Sequence, residues 1–277
     1  MKRIFLAVAA VAAVLSSCTS KSEEITVISY NVRNSRADDG ENNWEIRKPA
    51  SIAMLQDKNP EIFGVQEAYP NQQDYILEQL PKYKCVGVGR EDGVNEGEHM
   101  SIFYDSERIE LLDWGTYWLS ETPDEPSFGW DAACRRTATW TKLKVKATGT
   151  TFFYVNTHLD HRGKLARKNG LAMVVERIGQ MNPEHFPMIL TGDFNVFPDD
   201  PCLEDLNKIM FSARETAKDS DDSDSFQAFG EEGEACKLDY IYYSGFSDCP
   251  LFKVINQTYL NIPYISDHYP IVAKLVF

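Results

Sequence analysis

The sequence predicts a single α/β domain with a mixed sheet system and helices outside it. Three observations lead there. Strand-like runs outnumber helical ones. Many of those runs follow one another directly, where a strict βαβ repeat would put a helix after each. No segment of the 277 residues repeats another, and a chain of this length more often builds one large domain than two.

Taken in order, residues 25–31 alternate apolar and polar and are rich in β-branched side chains, so they read as a strand. Residues 44–58 suit a helix, with Pro49 tolerated near its first turns. Residues 61–66 form a short apolar strand that stops at Glu67, and 70–80 a helix opened by Pro70. Strands are expected at 84–88, 101–104, 109–112, 138–146 and 151–156. The clearest helix is 162–181, where Leu165, Leu171, Val174, Val175 and Ile178 recur at helical spacing. A strand at 188–191, a helix at 202–209, and strands at 238–243, 252–257 and 271–276 complete the chain. Residues 212–235 are acidic and rich in Ser and Gly, a solvated loop. Phe226 and Phe229 within it either face a site or pack locally.

The N-terminus reads differently. Lys2 and Arg3 precede an apolar run over residues 4–15, too short to span a bilayer securely. Leu15-Ser16-Ser17-Cys18 follows, and the whole resembles a bacterial lipoprotein signal peptide cut before Cys18. The alternative is an ordinary secretory signal. Residues 1–17 are therefore expected to be the signal, 18–24 a lipid-anchored tether, and 25–277 the folded domain. Lipidated Cys18 would hold an exported protein in the cell envelope, facing the periplasm or the surface.

The formal net charge is −14. Nucleic-acid binding rests on basic surface that displaces counterions, so an extended nucleic-acid partner is disfavoured. Cys85, Cys134, Cys202, Cys236 and Cys249 lie in the domain without zinc-type spacing. Either Cys236 and Cys249 pair, or all five are free.

Polar and ionisable residues recur at the ends of the apolar strands: Asn31, Glu67, His158 with Asp160, Asp193 with Asn195, Asp239, and Asp267 with His268. One such residue is ordinary turn chemistry. Their recurrence is not, because sheets in α/β proteins present ligands at strand ends. The residue types suit hydrolysis of a phosphate ester, which needs charge near the phosphoryl group and an oriented water. Carboxylate and amide oxygens favour Mg²⁺ or Mn²⁺. A Gly-x-Ser-x-Gly nucleophile motif and a Walker-type loop are both absent from the sequence.

Ser29-Tyr-Asn-Val32, Val65-Gln-Glu-Ala68, Thr157-His-Leu-Asp160, Thr191-Gly-Asp-Phe-Asn195, Leu238-Asp-Tyr-Ile241 and Ser266-Asp-His-Tyr-Pro270 resemble, in order, the signatures of the endonuclease/exonuclease/phosphatase superfamily. The resemblance implies a four-layer α/β sandwich, two packed mixed β-sheets flanked by helices. It implies that Glu67 binds the metal with Asn31 beside it, and that Asp267 is a further metal or water-orienting carboxylate. Asp193 would orient or deprotonate the attacking water, and Asn195 would donate to the phosphoryl oxygens. His268, held by Asp239, would contact the phosphate, and His158 would stand near the leaving group.

Four further positions follow with alternatives open. Glu98 matches the partner of His158, or is a surface glutamate. Arg136 resembles a phosphate-contacting arginine, with Arg135 its rival. Asp160 lies close to the site or caps the turn into the next helix. Trp130, in a stretch resembling secreted bacterial members, is a stacking or lid residue at the substrate mouth, or a loop anchor. His161 and His185 match no signature and are expected to be exposed. The leading expectation is hydrolysis, by in-line attack of an activated water, of a small, lipid-linked or glycan-linked phosphoester. The alternatives are a secreted nuclease and a catalytically silent surface lipoprotein.

Overall fold

The computed structural model describes residues 23–277; the signal segment, Cys18 and most of the tether lie outside the described residues. The element order is β1 (Glu24–Asn31), α1 (Trp44–Lys58), β2 (Ile62–Gln66), α2 (Pro70–Gln79), β3 (Tyr83–Val86), β4 (Ile102–Asp105), β5 (Ile109–Trp118), β6 (Thr137–Val145), β7 (Thr151–His158), α3 (Lys164–Met181), β8 (Met188–Asp193), α4 (Glu204–Asn207), β9 (Phe211–Ser212), α5 (Ala213–Thr216), β10 (Asp239–Ser244), β11 (Asp248–Val254) and β12 (Ile271–Val276). The strands form two six-stranded sheets, ordered β11-β12-β1-β2-β4-β3 and β5-β6-β7-β8-β10-β9. Each sheet is antiparallel except for one central parallel pair, β1 with β2 and β7 with β8. A parallel pair needs a crossover, and α1 and α3 provide the two.

The apolar pattern explains the layering. In β1, Ile25 and Val27 join Phe152, Ile189 and Ile271 between the sheets. Ile28 and Tyr30 point the other way, onto Met54 and Leu55 of α1 and Ile76 of α2. On the far side, Val155 and Leu190 meet Leu171, Val174 and Ile178 of α3. Central strands buried on both faces read as nearly continuous apolar runs, and the result is the expected helix–sheet–sheet–helix sandwich.

A polar tie crosses between the sheets just beneath their ends. Asn156 Nδ2 donates to Val65 O at 2.8 Å and Ser101 O at 3.2 Å, while Gln66 Nε2 donates to Asn156 Oδ1 at 2.7 Å. Gly64 makes that approach possible, because a Cβ there would fall 2.5 Å from Asn156 Cγ and Tyr154 Oη.

Pro49 does sit inside α1, whose N-terminus is capped by Asn43. Several elements differ from expectation for identifiable reasons. The strand expected at 109–112 runs to Trp118, carried past Asp113 by a register shift between Leu111 and Asp113. The strand expected at 252–257 is displaced to Asp248–Val254, where Pro250 is accommodated on an edge strand. The helix expected at 202–209 breaks into a 3₁₀ turn and the single turn of α4. The five cysteines of the described residues are free thiols, so Cys236 and Cys249 do not pair.

Candidate active site at the ends of the parallel strands

All four parallel strands run toward the same end of the sandwich, and their last residues meet there. Asn31 ends β1 and Glu67 follows β2. His158 ends β7 and Asp193 ends β8. Asp239 opens the antiparallel β10 directly opposite Asp193, which is also in register with His158. Opposed residues project to one face of a sheet, so these three side chains share the inner face. Asp267 and His268 come from the loop before β12. Buried Arg47 of α1 pins that loop, donating to Ile265 O at 2.7 Å and to Val32 O at 2.9 Å.

Asp193 lies at the centre. Asn31 Nδ2 donates to its Oδ2 at 3.0 Å and to Glu67 Oε1 at 3.1 Å. The same Oδ2 stands 3.4 Å from His158 Nε2 and 3.6 Å from His268 Nε2. Asp239 Oδ2 holds His268 Nδ1 at 2.8 Å. Two residues reach their positions through left-handed backbone, Glu67 with φ 63° and Asn195 with φ 52°. That conformation is unfavourable for most side chains and clusters at functional sites. Asn195 Nδ2 donates to Leu159 O at 3.0 Å and lies 3.0 Å from His158 Nε2.

Burial shifts the charges. Burial, with Asp239 and Glu67 nearby, pushes the Asp193 carboxyl up to about 7, against the pull of His268. Burial opposes protonation of His268, but Asp239 and Asp193 overcome it and raise the imidazole to about 10. Burial and the neighbouring Arg136 and Arg90 drive His158 well below the ordinary histidine range, which keeps it neutral. Burial would raise Glu67, yet the hydrogen bond from Asn31 and the positive His268 and Arg33 hold it ionised. Asp267 is raised by burial and by Glu67.

The cavity over these groups has a volume of about 460 Å³. Of the expected residues, Glu67, Glu98, Arg136, His158, Asp193, Asn195, Asp267 and His268 line it. Asn31 and Asp239 lie directly beneath, bonded to residues that do. Glu98, expected to partner His158, is instead taken by Arg90, and among the described residues His158 Nδ1 has no hydrogen-bond partner.

Asp160 supports the wall from behind. Its Oδ1 accepts from the Arg162 and Gly163 amides, and its Oδ2 from the Ala133 and Cys134 amides and Arg136 Nε at 3.3 Å. Trp130 does not line the cavity. It is half-buried at φ 48° in the loop after Gly129. His161 is exposed, as expected, but it lines the cavity mouth 3.0 Å from an Arg136 guanidinium nitrogen. Phe226 packs against His268 with centroids 4.9 Å apart, whereas Phe229 packs on Tyr264. Sequence reasoning missed Arg33, Asn34, Arg90 and Cys134 as wall residues. Arg33 and Asn34 directly follow the first signature, which was the available signal.

The donor chemistry fits a hard divalent cation. Glu67, Asp267 and the side-chain carbonyl of Asn31 supply oxygen only, and the gathered negative charge of the two carboxylates is what a dication would relieve. Asp193, Asp239 and His268 also approach within metal-binding reach. There, however, His268 Nδ1 is already committed to Asp239, so that trio reads as a buried ion-pair cluster.

The family model described as Endonuclease/Exonuclease/phosphatase family matches residues 28–268. Among solved structures, the mannosyl-6-phosphatase Bt3783 of Bacteroides thetaiotaomicron VPI-5482 superposes with a TM-score of 0.87 at 34% identity, over 91% of this chain and 100% of that one. An endonuclease/exonuclease/phosphatase from Bacteroides vulgatus gives 0.86 at 33% identity, over 92% of this chain and 99% of its own. The human nocturnin catalytic domain gives 0.72 at 19% identity over 92% and 94%, a likeness of fold alone. By sequence, the chain is 27% identical to Uncharacterized protein L388 of Acanthamoeba polyphaga mimivirus, over 83% of this chain and 91% of that protein.

Proposed function

Because the chain belongs to the endonuclease/exonuclease/phosphatase family of hydrolases, we propose that it is an exported, Mg²⁺- or Mn²⁺-dependent phosphoesterase that releases phosphate from a glycan or a small sugar phosphate. The observation that carries this reading is the convergence of His158, His268 and Asn31 on one carboxylate, Asp193. The likeness to a mannosyl-6-phosphatase at 34% identity supports a sugar-linked monoester. The net charge of −14 argues against a long nucleic-acid substrate.

Glu67 and Asp267, with Asn31 beside them, would hold the cation, which when bound polarises the phosphoryl oxygens. The chain's own residues do the remaining work. Asp193 takes a proton from the attacking water. A base with an affinity near 7 is ionised often enough at neutral pH and still binds the proton firmly. His268, kept positive by Asp239, offers Nε2–H to the phosphoryl oxygens. Asn195, whose Nδ2 is held between Leu159 O and His158 Nε2, fixes the neutral His158 ring in the same wall without adding charge. Water's oxygen bonds to phosphorus as the phosphorus–oxygen bond to the sugar breaks; the departing oxygen takes a proton from solvent and Asp193 returns its own to solvent, so the products are the alcohol and phosphate.

The test is an assay of the domain from Ile25 onward on mannose 6-phosphate, 4-nitrophenyl phosphate, a phosphodiester and plasmid DNA, with Mg²⁺, Mn²⁺ or EDTA. Metal-dependent turnover of the monoesters is expected. Asp193→Asn should lower kcat by on the order of 10²-fold or more with Tm unchanged, as loss of a general base does. DNA cleavage without monoester turnover would replace this reading with the nuclease. Folded protein inactive on all four would overturn the assignment of an enzyme.

A further inference from the structure

A charge ladder that the mechanism does not use starts at one wall of the cavity, at Arg90 and Glu98, and continues outward through Glu91 and Arg135, which lie beyond its lining. Arg90 and Glu98 line the wall and pair with each other. Arg90 Nε, buried and without a hydrogen-bond partner, is 3.4 Å from Glu91 Oε1. The other oxygen of Glu91 pairs with Arg135. The Arg135 guanidinium lies 4.6 Å from the centroid of the Phe128 ring. The ladder climbs from 9% exposure at Arg90 and Glu98 to 52% at Phe128, so it leads from the reaction centre to solvent.

Its backbone is rigid. Arg90 N donates to Glu98 O at 3.1 Å and Glu91 N to Glu96 O at 3.0 Å, closing residues 89–98 into a tight hairpin. Asp92 Oδ1 caps its tip, accepting from Val94 N at 2.8 Å and Glu96 N at 2.9 Å. Trp118 Nε1 donates to Arg90 O at 2.8 Å, and Gly93, at φ +74°, lies against the same indole, where a Cβ would come 3.1 Å from the ring. The hairpin is thereby stapled to the end of β5. Groups held in place before binding lose little entropy when a ligand arrives.

We propose that the strip from Glu98 through Arg90, Glu91 and Arg135 to Phe128 is the leaving-group subsite, and that it selects a polyhydroxylated ring such as a hexose on the far side of the scissile bond. The inference rests on the phosphoesterase reading above. Alternating carboxylates and guanidinium groups offer paired acceptors and donors to neighbouring hydroxyls. The half-exposed phenyl ring at the end offers an apolar face to the C–H side of a sugar. Each carboxylate is already paired with a guanidinium group, so the strip leaves little unpaired positive charge for a second phosphate. A ladder whose only task was to tie two loops together would not need an exposed aromatic ring at its outer end.

The experiment compares mannose 6-phosphate with 4-nitrophenyl phosphate in the wild type, in Glu91→Gln, which preserves shape, and in Phe128→Ala. The readout is the ratio of kcat/KM for the sugar over the aryl ester. Each variant is expected to lower that ratio about tenfold, mainly through KM for the sugar, the size of effect seen when hydrogen bonds or apolar contacts to one part of a substrate are lost. A ratio within about twofold of wild type in both variants, with wild-type turnover intact, overturns the subsite alone. Wild type that turns over neither ester overturns the phosphomonoesterase reading and the subsite with it.

Discussion

Asp193 owes its proposed basicity to crowding: burial and two nearby carboxylates lift it, and His268 restrains it. The corresponding statement for His268 can be measured directly. In EDTA-treated protein its imidazole should titrate near 10 by NMR, because Asp239 and Asp193 favour the cation. Asp239→Asn should lower that value clearly. An unmoved titration would show that Asp239 does not control the ring. Glu67 should be the metal's main anchor, so Glu67→Gln is expected to raise the Mg²⁺ concentration needed for half-maximal rate by tenfold or more, on the order seen when metal-site carboxylates or their partners are altered. An unchanged Mg²⁺ titration would remove Glu67 from the metal site. Asn31, Glu67, Asp193 and His268 were legible because each interrupts an apolar strand at its end. The pairing of Arg90 with Glu98 was not. Both lie in a hairpin whose geometry depends on Gly89, Gly97 and a tryptophan on a distant strand, and one-dimensional spacing does not carry that information.

At the scale of elements, β2 is buried along its whole length. Its Phe63 is fully buried, stacked on Phe103 at 4.6 Å and set edge-on to Tyr83 at 5.1 Å. Phe63→Ala should cost about 3–5 kcal/mol, measured by urea unfolding with activity retained in the folded fraction. A loss below about 1 kcal/mol would mean that the layer between sheet and helices can collapse around the gap. The central strands were readable because burial on both faces leaves continuous apolar runs. The edges were harder. β11 carries Pro250 and a register irregularity, β9 has two residues, and α4 and α5 are single turns. Tertiary packing sets those segments, and no periodicity is long enough to announce them.

At the scale of the molecule, the buried phenol and thiol groups set an alkaline limit. Burial raises Tyr30 to about 12 and Cys85 to about 12. For both groups the folded state favours the protonated, neutral form. Their contribution is complete below the unfolded pKa, about 10 for tyrosine and about 8.5 for cysteine, and is lost as pH rises through the folded value. Tm should therefore hold up to about pH 8.5 and fall, more steeply above about pH 10, until roughly pH 12. A flat Tm across that window would show that these groups ionise without unfolding the chain. The four-layer architecture was legible through the ordered signatures. The exported, lipid-anchored state proposed for the chain concerns residues outside those described, and labelling of Cys18 by a lipid precursor would test it directly.

The two sheets differ in how the chain supplies them. The second, β5 to β10, is drawn from the middle of the sequence without interruption, whereas the first joins β1–β4 to β11 and β12. β1 pairs along most of its length with β12, Glu24 opposite Val276 through Ser29 opposite Ile271. During synthesis on a ribosome, β1 emerges long before its partner β12 and must wait for it. Until then one edge of the central parallel pair stays open, and so does the floor of the site, since His268 arrives only just ahead of β12. The nascent protein is thus a poor early folder by construction. A chain built in this order completes the floor of its site only when β12 docks beside β1.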